Sequence, residues 1–546
     1  MMNSFKIKTA LIAFLSVFMV SSCKDITELN ENPNGVNPLT ANPGLVLSTV
    51  LTESGKAFVN LGYQDIAGVM QHTQKDGWSG GHNDYDWGQE NSWSGYYDIL
   101  RNNQYVYERS VELKYELHQG IALVMKSMIF GLIADLWGDA PYTHALKASV
   151  GGSENTFPAF DSQETIYMGI LDELEKANVL LSKNASEYAA VGTADVYYQG
   201  NPVKWRKLAN SLKLRYYMRL SVKKPEIAKA GIEKIVANPT QYPVITAAAD
   251  DAAMGFAGNS STDSWPGAVR FDSDSSNYRR IKMCATFVEY LQAVKDPRLG
   301  VFANKVQIPL VVDSSAAKGT DKIVGGKRYL SPDKVAGVAI DTDPEYVGLP
   351  VSLLGGASYN MSPTAAQGAR NPHVSWLNSA YMQPTGALLK ARLMSASEVN
   401  FILAEAAQRG WAAGNAGANY KAAIEASFIT WGISAASAAY LAQPGVAYNG
   451  TLKQIIEQKW IASWTAATEA WFDYRRTGFP ELKTGSQSKR AALPVRFYYM
   501  LDERNLNKAN ANAAIDKLEP SKYSETDGKN SAWSKPWLLQ GTTKPW

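Results

Sequence analysis

The sequence predicts a mainly α protein: a scaffold of paired helices interrupted by one long irregular insertion. Three observations lead there. Apolar residues recur at three- and four-residue steps in several stretches, each opened by a recognisable cap. Strand-like alternation is sparse. Between about residues 240 and 390 the periodicity fades while Gly, Ser, Asp, Pro and Asn accumulate, as in Gly258-Asn-Ser-Ser-Thr-Asp-Ser-Trp-Pro-Gly267 and Asp272-Ser-Asp-Ser-Ser-Asn277. Rigid elements carrying such loops commonly hold function.

The chain opens with Lys6 and Lys8, a short apolar stretch to Val20 and then small residues, the pattern of a secretory signal over residues 1–22. The tetrad Val20-Ser21-Ser22-Cys23 looks like a bacterial lipobox, which makes Cys23 the expected lipidated first residue; the alternative is an ordinary cleavage site beside a bystander cysteine. Residues 23–40, polar and broken by Pro33, Gly35 and Pro38, read as a tether. The remainder, 41–546, is expected to form one domain.

Within it, Asp161-x-x-Glu164 has the form of a capping box ahead of Ile166, Ile170, Leu174, Ala177 and Leu181. Ser395-x-x-Glu398 does the same ahead of Val399, Ile402, Leu403 and Ala406, with Gly410 as the stop. A turn, Gly410-Trp-Ala-Ala-Gly-Asn-Ala-Gly417, leads to a second helix around 418–430. That helix-turn-helix is the unit of tetratricopeptide-type repeats, although no strict 34-residue period is visible. Residues 203–222 and a helix running from Leu452 to Trp471 place Trp205, Trp460, Trp464 and Trp471 at helical spacing, as core; Arg475 and Arg476 suit the end of that last helix. The apolar run 121–137 is interrupted by Lys126 and Asp135, and reads as a buried central helix rather than a membrane span.

Composition narrows the function. Removing Lys6 and Lys8 with the signal lowers the formal net charge of +3 to +1, which argues against a nucleic-acid binder and favours an uncharged ligand. Two cysteines, Cys23 and Cys284, exclude a disulfide scaffold, and Cys284 lies in an apolar run. No metal or cofactor motif stands out. Asp84-x-Asp86-x-Gly88 offers oxygens at alternate positions but lacks the rest of a calcium loop, so a solvated turn is the simpler reading. Gly77-Trp-Ser-Gly-Gly81 matches the Gly-x-Ser-x-Gly elbow formally, which leaves a surface hydrolase using Ser79 with His72 or His82 as an alternative of another class.

Sugar binding needs flat aromatic faces among hydrogen-bonding groups. That mixture marks Trp78, Asn83, Asp84, Tyr85, Asp86 and Trp87, with Trp93, Tyr96 and Tyr97 beyond them at the start of a helix. In the insertion it marks Trp265, Arg270, Asp272, Tyr278, Tyr359, Asn360 and Trp376.

The lipobox cysteine, Leu29-Asn-Glu-Asn-Pro-Asn-Gly35, Asp135-Leu-Trp-Gly-Asp-Ala-Pro-Tyr142, Trp205-Arg-Lys-Leu-Ala-Asn-Ser-Leu-Lys-Leu-Arg215, Glu457-Gln-Lys-Trp-Ile461 and Glu469-Ala-Trp-Phe-Asp-Tyr-Arg-Arg-Thr-Gly-Phe-Pro480 occur in that order. Together they resemble the SusD/RagB-like nutrient-binding lipoproteins of Bacteroidetes outer membranes, over nearly the whole mature chain. The resemblance implies a tetratricopeptide-like helical fold and a surface lipoprotein held by its lipid anchor. It also implies capture of oligosaccharides, or in some members peptides, for a SusC-type TonB-dependent transporter, without catalysis. No binding residue is carried over from it.

Overall fold

The computed structural model describes residues 41–77, 80–89, 91–363 and 370–543. Its first helix, α1 (Pro43–Tyr63), starts where Asn42 accepts a hydrogen bond from the Gly44 N–H and Pro43 occupies the first turn, where a missing N–H is harmless. Five more long helices follow, with short turns of helix between some of them: α2 (Ser94–Glu112), α3 (Glu116–Trp137), α4 (Gln163–Leu180), α5 (Pro202–Leu220) and α6 (Pro225–Ala237). Each packs on the next, so neighbours in sequence are neighbours in space. This is the repeat-like scaffold that the sequence predicts.

The central helix α3 is buried on nearly all sides. It is the one described helix long and apolar enough to cross a membrane, but 94% of that stretch is buried inside the protein. The capping box expected before α4 is corrected in detail. Ser162, not Asp161, accepts from the Thr165 N–H, and the Asp161 carboxylate instead takes the Tyr142 and Thr143 N–H groups at 3.0 and 2.8 Å. Asp161 therefore ties down the turn that follows α3.

The insertion leaves the scaffold through β2 (Ala252–Gly255) and returns through β7 (Lys390–Met394), an antiparallel pair with Gly255 opposite Lys390. Inside it stand α7 (Ala285–Ala293) and a small sheet in which β6 (Lys327–Leu330) lies between β4 (Leu310–Val312) and β5 (Asp321–Val324). β3 (Ile281–Met283) pairs antiparallel with β1 (Thr73–Lys75), fastening the insertion to the loop that follows α1.

Then come α8 (Ala396–Gln408) and α9 (Ala416–Thr430), packed as the predicted helix-turn-helix. Ser395 caps α8 through the Glu398 N–H, while the Glu398 carboxylate turns away to Arg215. The single helix expected from Leu452 to Trp471 is two, α10 (Leu452–Ala462) and α11 (Ala467–Thr477), broken where Thr465 takes φ of +68°. α11 packs back on α1, closing the scaffold. Trp205, Trp460, Trp464 and Trp471 are core residues, and Cys284 is a buried free thiol that burial pushes up to about 12.

Between α3, α5, α8, α10 and α11 lies a buried lattice of charge. Asp135, Glu398, Glu405, Glu469 and Asp473 face Arg215, Arg219, Lys459, Arg475 and Arg476, so five acids balance five bases. Lys459 stands 2.7 Å from Asp473, and Arg215 stands 2.7 Å from Glu398. Arg475 also donates to the Asp135 and Val495 carbonyls, so it and Arg476 do far more than complement a helix dipole.

Candidate ligand-binding groove

An open groove of about 740 Å³ runs between α1, α2 and the first loops of the insertion. Glu53, Lys56, Ala57 and Asn60 share one face of α1, at spacings that align side chains on a helix. Across from them α2 presents Tyr96, Ile99 and Asn102, and the insertion adds Phe256 and the hydroxyls of Ser261 and Thr262. Tyr96 and Phe256 are half-buried. Aromatic faces beside carboxamides and hydroxyls are the surface a pyranose ring uses, apolar C–H face against the ring and hydroxyls against the polar groups.

The third wall is held in place by charge. Lys56 bridges Glu53 on its own helix, at 3.0 Å, and Asp263 in the insertion, at 2.9 Å. Burial by itself would depress the Lys56 ammonium, but the two carboxylates hold it above its ordinary value, and Lys56 in turn holds the Asp263 carboxyl down. Phe256 is backed edge-on by Trp265, which packs in turn on Tyr63 with ring centroids 4.9 Å apart.

The residues marked from sequence divide sharply. Cys23 and Trp78 lie outside the described residues, as does Ser79. Tyr85 is fully buried, and Trp87 packs edge-on against Trp471 and Phe497. Asn83 is buried too; its carboxamide bonds the Lys75 N–H and carbonyl at 2.9 and 2.8 Å, closing the loop between them. Trp265 is 1% exposed. Tyr278 is buried with its hydroxyl on the Leu377 carbonyl, and Trp376 with its indole N–H on the Asn371 carbonyl. Asn360 spends its carboxamide on the backbone of Asp341 and His373. These side chains are corrected to structural supports, because faces already covered by protein have none to offer a sugar.

Five others keep some exposure without lining the groove. Asp84 accepts from the Gly81 and Asp86 N–H groups, and Asp86 accepts from Gly88 and pairs with Lys489. Both carboxylates are thus spent on the turn; among the described residues no three metal-ligating side chains cluster. Arg270 is exposed with its guanidinium over Phe271, Asp272 caps the turn at Ser276 and Asn277, and Tyr359 is half-buried. Sequence reasoning missed Lys56, Asn60, Asn102 and Phe256. The polar stripe along α1 was the available signal.

The histidines beside the Gly-x-Ser-x-Gly match are also structural. His72 is enclosed by Phe287, Trp460 and Trp464 and donates from Nε2 to the Trp460 carbonyl at 3.0 Å. Burial lowers its pKa to about 3; burial, with Lys75 nearby, lowers that of His82 to about 4. β1 precedes the loop, but residues 80–89 turn without forming the helix that a nucleophile elbow requires.

A helical-repeat scaffold with a groove walled by an irregular insertion defines a binding protein. The chain belongs to the SusD-like family described as "Starch-binding associating with outer membrane", whose model matches residues 38–332 and 333–500. No curated protein matches the sequence. Among solved structures, it is similar to a Bacteroides vulgatus protein assigned by inference both to the outer membrane and to nutrient binding, with 26% identity, TM-score 0.70, and coverage of 92% of this chain and 100% of that one. A SusD homologue from Bacteroides fragilis aligns with TM-score 0.70 at 21% identity, over 92% and 100%. A chitin-binding SusD homologue from Flavobacterium johnsoniae aligns with TM-score 0.67 at 22% identity, over 91% and 98%. The last two establish the shared fold.

Proposed function

We propose that this protein is a lipid-anchored cell-surface receptor that captures oligosaccharides in the groove between α1, α2 and the insertion and passes them to a SusC-type TonB-dependent transporter. The observation that carries the reading is the groove's lining, with Tyr96 and Phe256 set among Asn60, Asn102 and loop hydroxyls. Family membership supports the outer-membrane setting, and the chitin-binding neighbour supports a glycan as ligand class.

Isothermal titration of the mature protein against panels of oligosaccharides and peptides tests the ligand class. Oligosaccharide binding that Tyr96→Ala abolishes is the expected result. Binding of peptides alone would overturn the glycan assignment. For the partner, purification from detergent-solubilised outer membrane should recover a barrel protein in stoichiometric amount; recovery of the lipoprotein by itself would count against a stable complex.

A further inference from the structure

Pro266 also lines a smaller cleft beside the groove, of about 80 Å³, whose wall differs in chemistry. Lys75 and Arg280 bring two cations to it, Gln64 and Asn277 two carboxamides, and no carboxylate lines it. Asp65 stands 3.7 Å from the Lys75 ammonium, an ion-pair distance too long for a hydrogen bond. Tyr63 also lines the cleft, as a buried ring.

We propose that this cleft is an anion subsite, which takes the carboxylate or sulfate of an acidic sugar unit whose neighbours lie along the groove. The polar side chains in its wall, those of Lys75, Arg280, Gln64, Asn277 and Ser276, all carry donors. A guanidinium and an ammonium together suit an oxyanion, where charge-assisted hydrogen bonds are roughly twice as strong as neutral ones. Asn60 in the groove and Gln64 in the cleft stand four residues apart at the end of α1, within about 6 Å along the helix axis, a span that one oligosaccharide covers. The near-zero net charge of the mature chain does not conflict with this, because it is a sum over the surface whereas the cleft concentrates two cations.

The inference rests on the glycan-groove reading, and the test separates the two. Length-matched neutral, uronate-containing and O-sulfated oligosaccharides are titrated into the full mature protein. Tighter binding of either acidic series than of the neutral one, by about tenfold, is expected, and whichever series binds identifies carboxylate or sulfate. Lys75→Gln should remove that advantage while leaving neutral binding unchanged. Raising the salt should weaken acidic binding to the unmodified protein, a readout independent of whether any variant folds. Neutral and acidic series binding alike, at every salt concentration, would overturn the subsite and leave the groove reading intact. Failure of all three series would overturn both.

Discussion

Tyr96 and Trp265 sit one layer apart on the groove and should respond to truncation in opposite ways. Trp265→Ala opens a hole behind Phe256 and is expected to cost about 3–5 kcal/mol of stability, visible in chemical denaturation. Tyr96→Ala removes a half-buried ring at the open face and should change stability by about 1 kcal/mol or less while lowering oligosaccharide affinity at least about tenfold. If the two variants lost stability equally, Tyr96 would belong to the core.

His72 and His82 make a second residue-level prediction. Both are neutral when folded, with pKa values of about 3 and about 4, while unfolded imidazoles titrate near about 6.5. The unfolded chain therefore binds protons that the folded one does not, and stability falls as pH drops from about 6.5 toward 4. Each ring is expected to contribute about 1.4 kcal/mol per pH unit, and since Asp251, raised by burial to about 6, acts in the opposite sense, the contribution is read as the difference in slope between the unmodified protein and His72→Asn. Denaturation midpoints measured at several pH values check it; equal slopes in the two proteins would mean that His72 takes up its proton in the folded state.

The sequence misplaced side chains for a physical reason. Aromatics among glycines and carboxamides look like ligand platforms, yet a loop with few ladder hydrogen bonds is held by whatever it buries, and aromatic rings bury the most. Tyr85, Trp87, Trp265 and Trp376 are consumed that way. Phe256 and Asn102 had no mark in one dimension, because only the packing of α1 on α2 beside the insertion gives them a common surface.

At the level of elements, legibility was much better, since caps and periodicity are local. α8 begins where Ser395 predicts, and α3 is buried as its all-round apolarity requires. The break between α10 and α11 was hidden because Trp460, Trp464 and Trp471 keep helical spacing across it. α11 is the densest element electrostatically. Burial alone would raise the Asp473 carboxyl, but Lys459, Arg476 and Arg219 hold it well below the usual carboxylate range. Asp473→Asn leaves three cations short of an anion and should cost about 3–5 kcal/mol, with lowered yield of folded protein. Loss of under about 1 kcal/mol would show that water enters the lattice. Because this acid is depressed, its contribution is complete above pH of about 4 and drains away in stronger acid, below the range in which the histidines act.

At the scale of the whole molecule, the expected lipid anchor at Cys23 and the groove frame the proposed role. Acyl chains contribute about 0.8 kcal/mol per buried CH₂, so several together hold a body of this size on a membrane. Cys23→Ser should move the protein from the membrane to the soluble fraction on cell fractionation, with oligosaccharide binding unaltered. Retention in the membrane would point to anchorage by another route. The two-part fold itself was legible because one composition shift separates periodic from aperiodic sequence, and β2 and β7 close the insertion near the limits that shift marks.

The charge lattice has a further consequence, in time rather than in space. Arg475 reaches Asp135 across 340 residues, and Trp137 donates to the Tyr498 carbonyl across 361. As the chain emerges from its N-terminus, α2 and α4 cover part of α3 and Arg219 and Tyr167 reach Asp135 early, but Arg475 and the Tyr498 carbonyl arrive only near the end. Contacts of such long range form slowly. Completion of the fold is therefore governed by its final segment, and a chain truncated before α11 should persist as a loose, protease-sensitive intermediate rather than as a smaller working receptor.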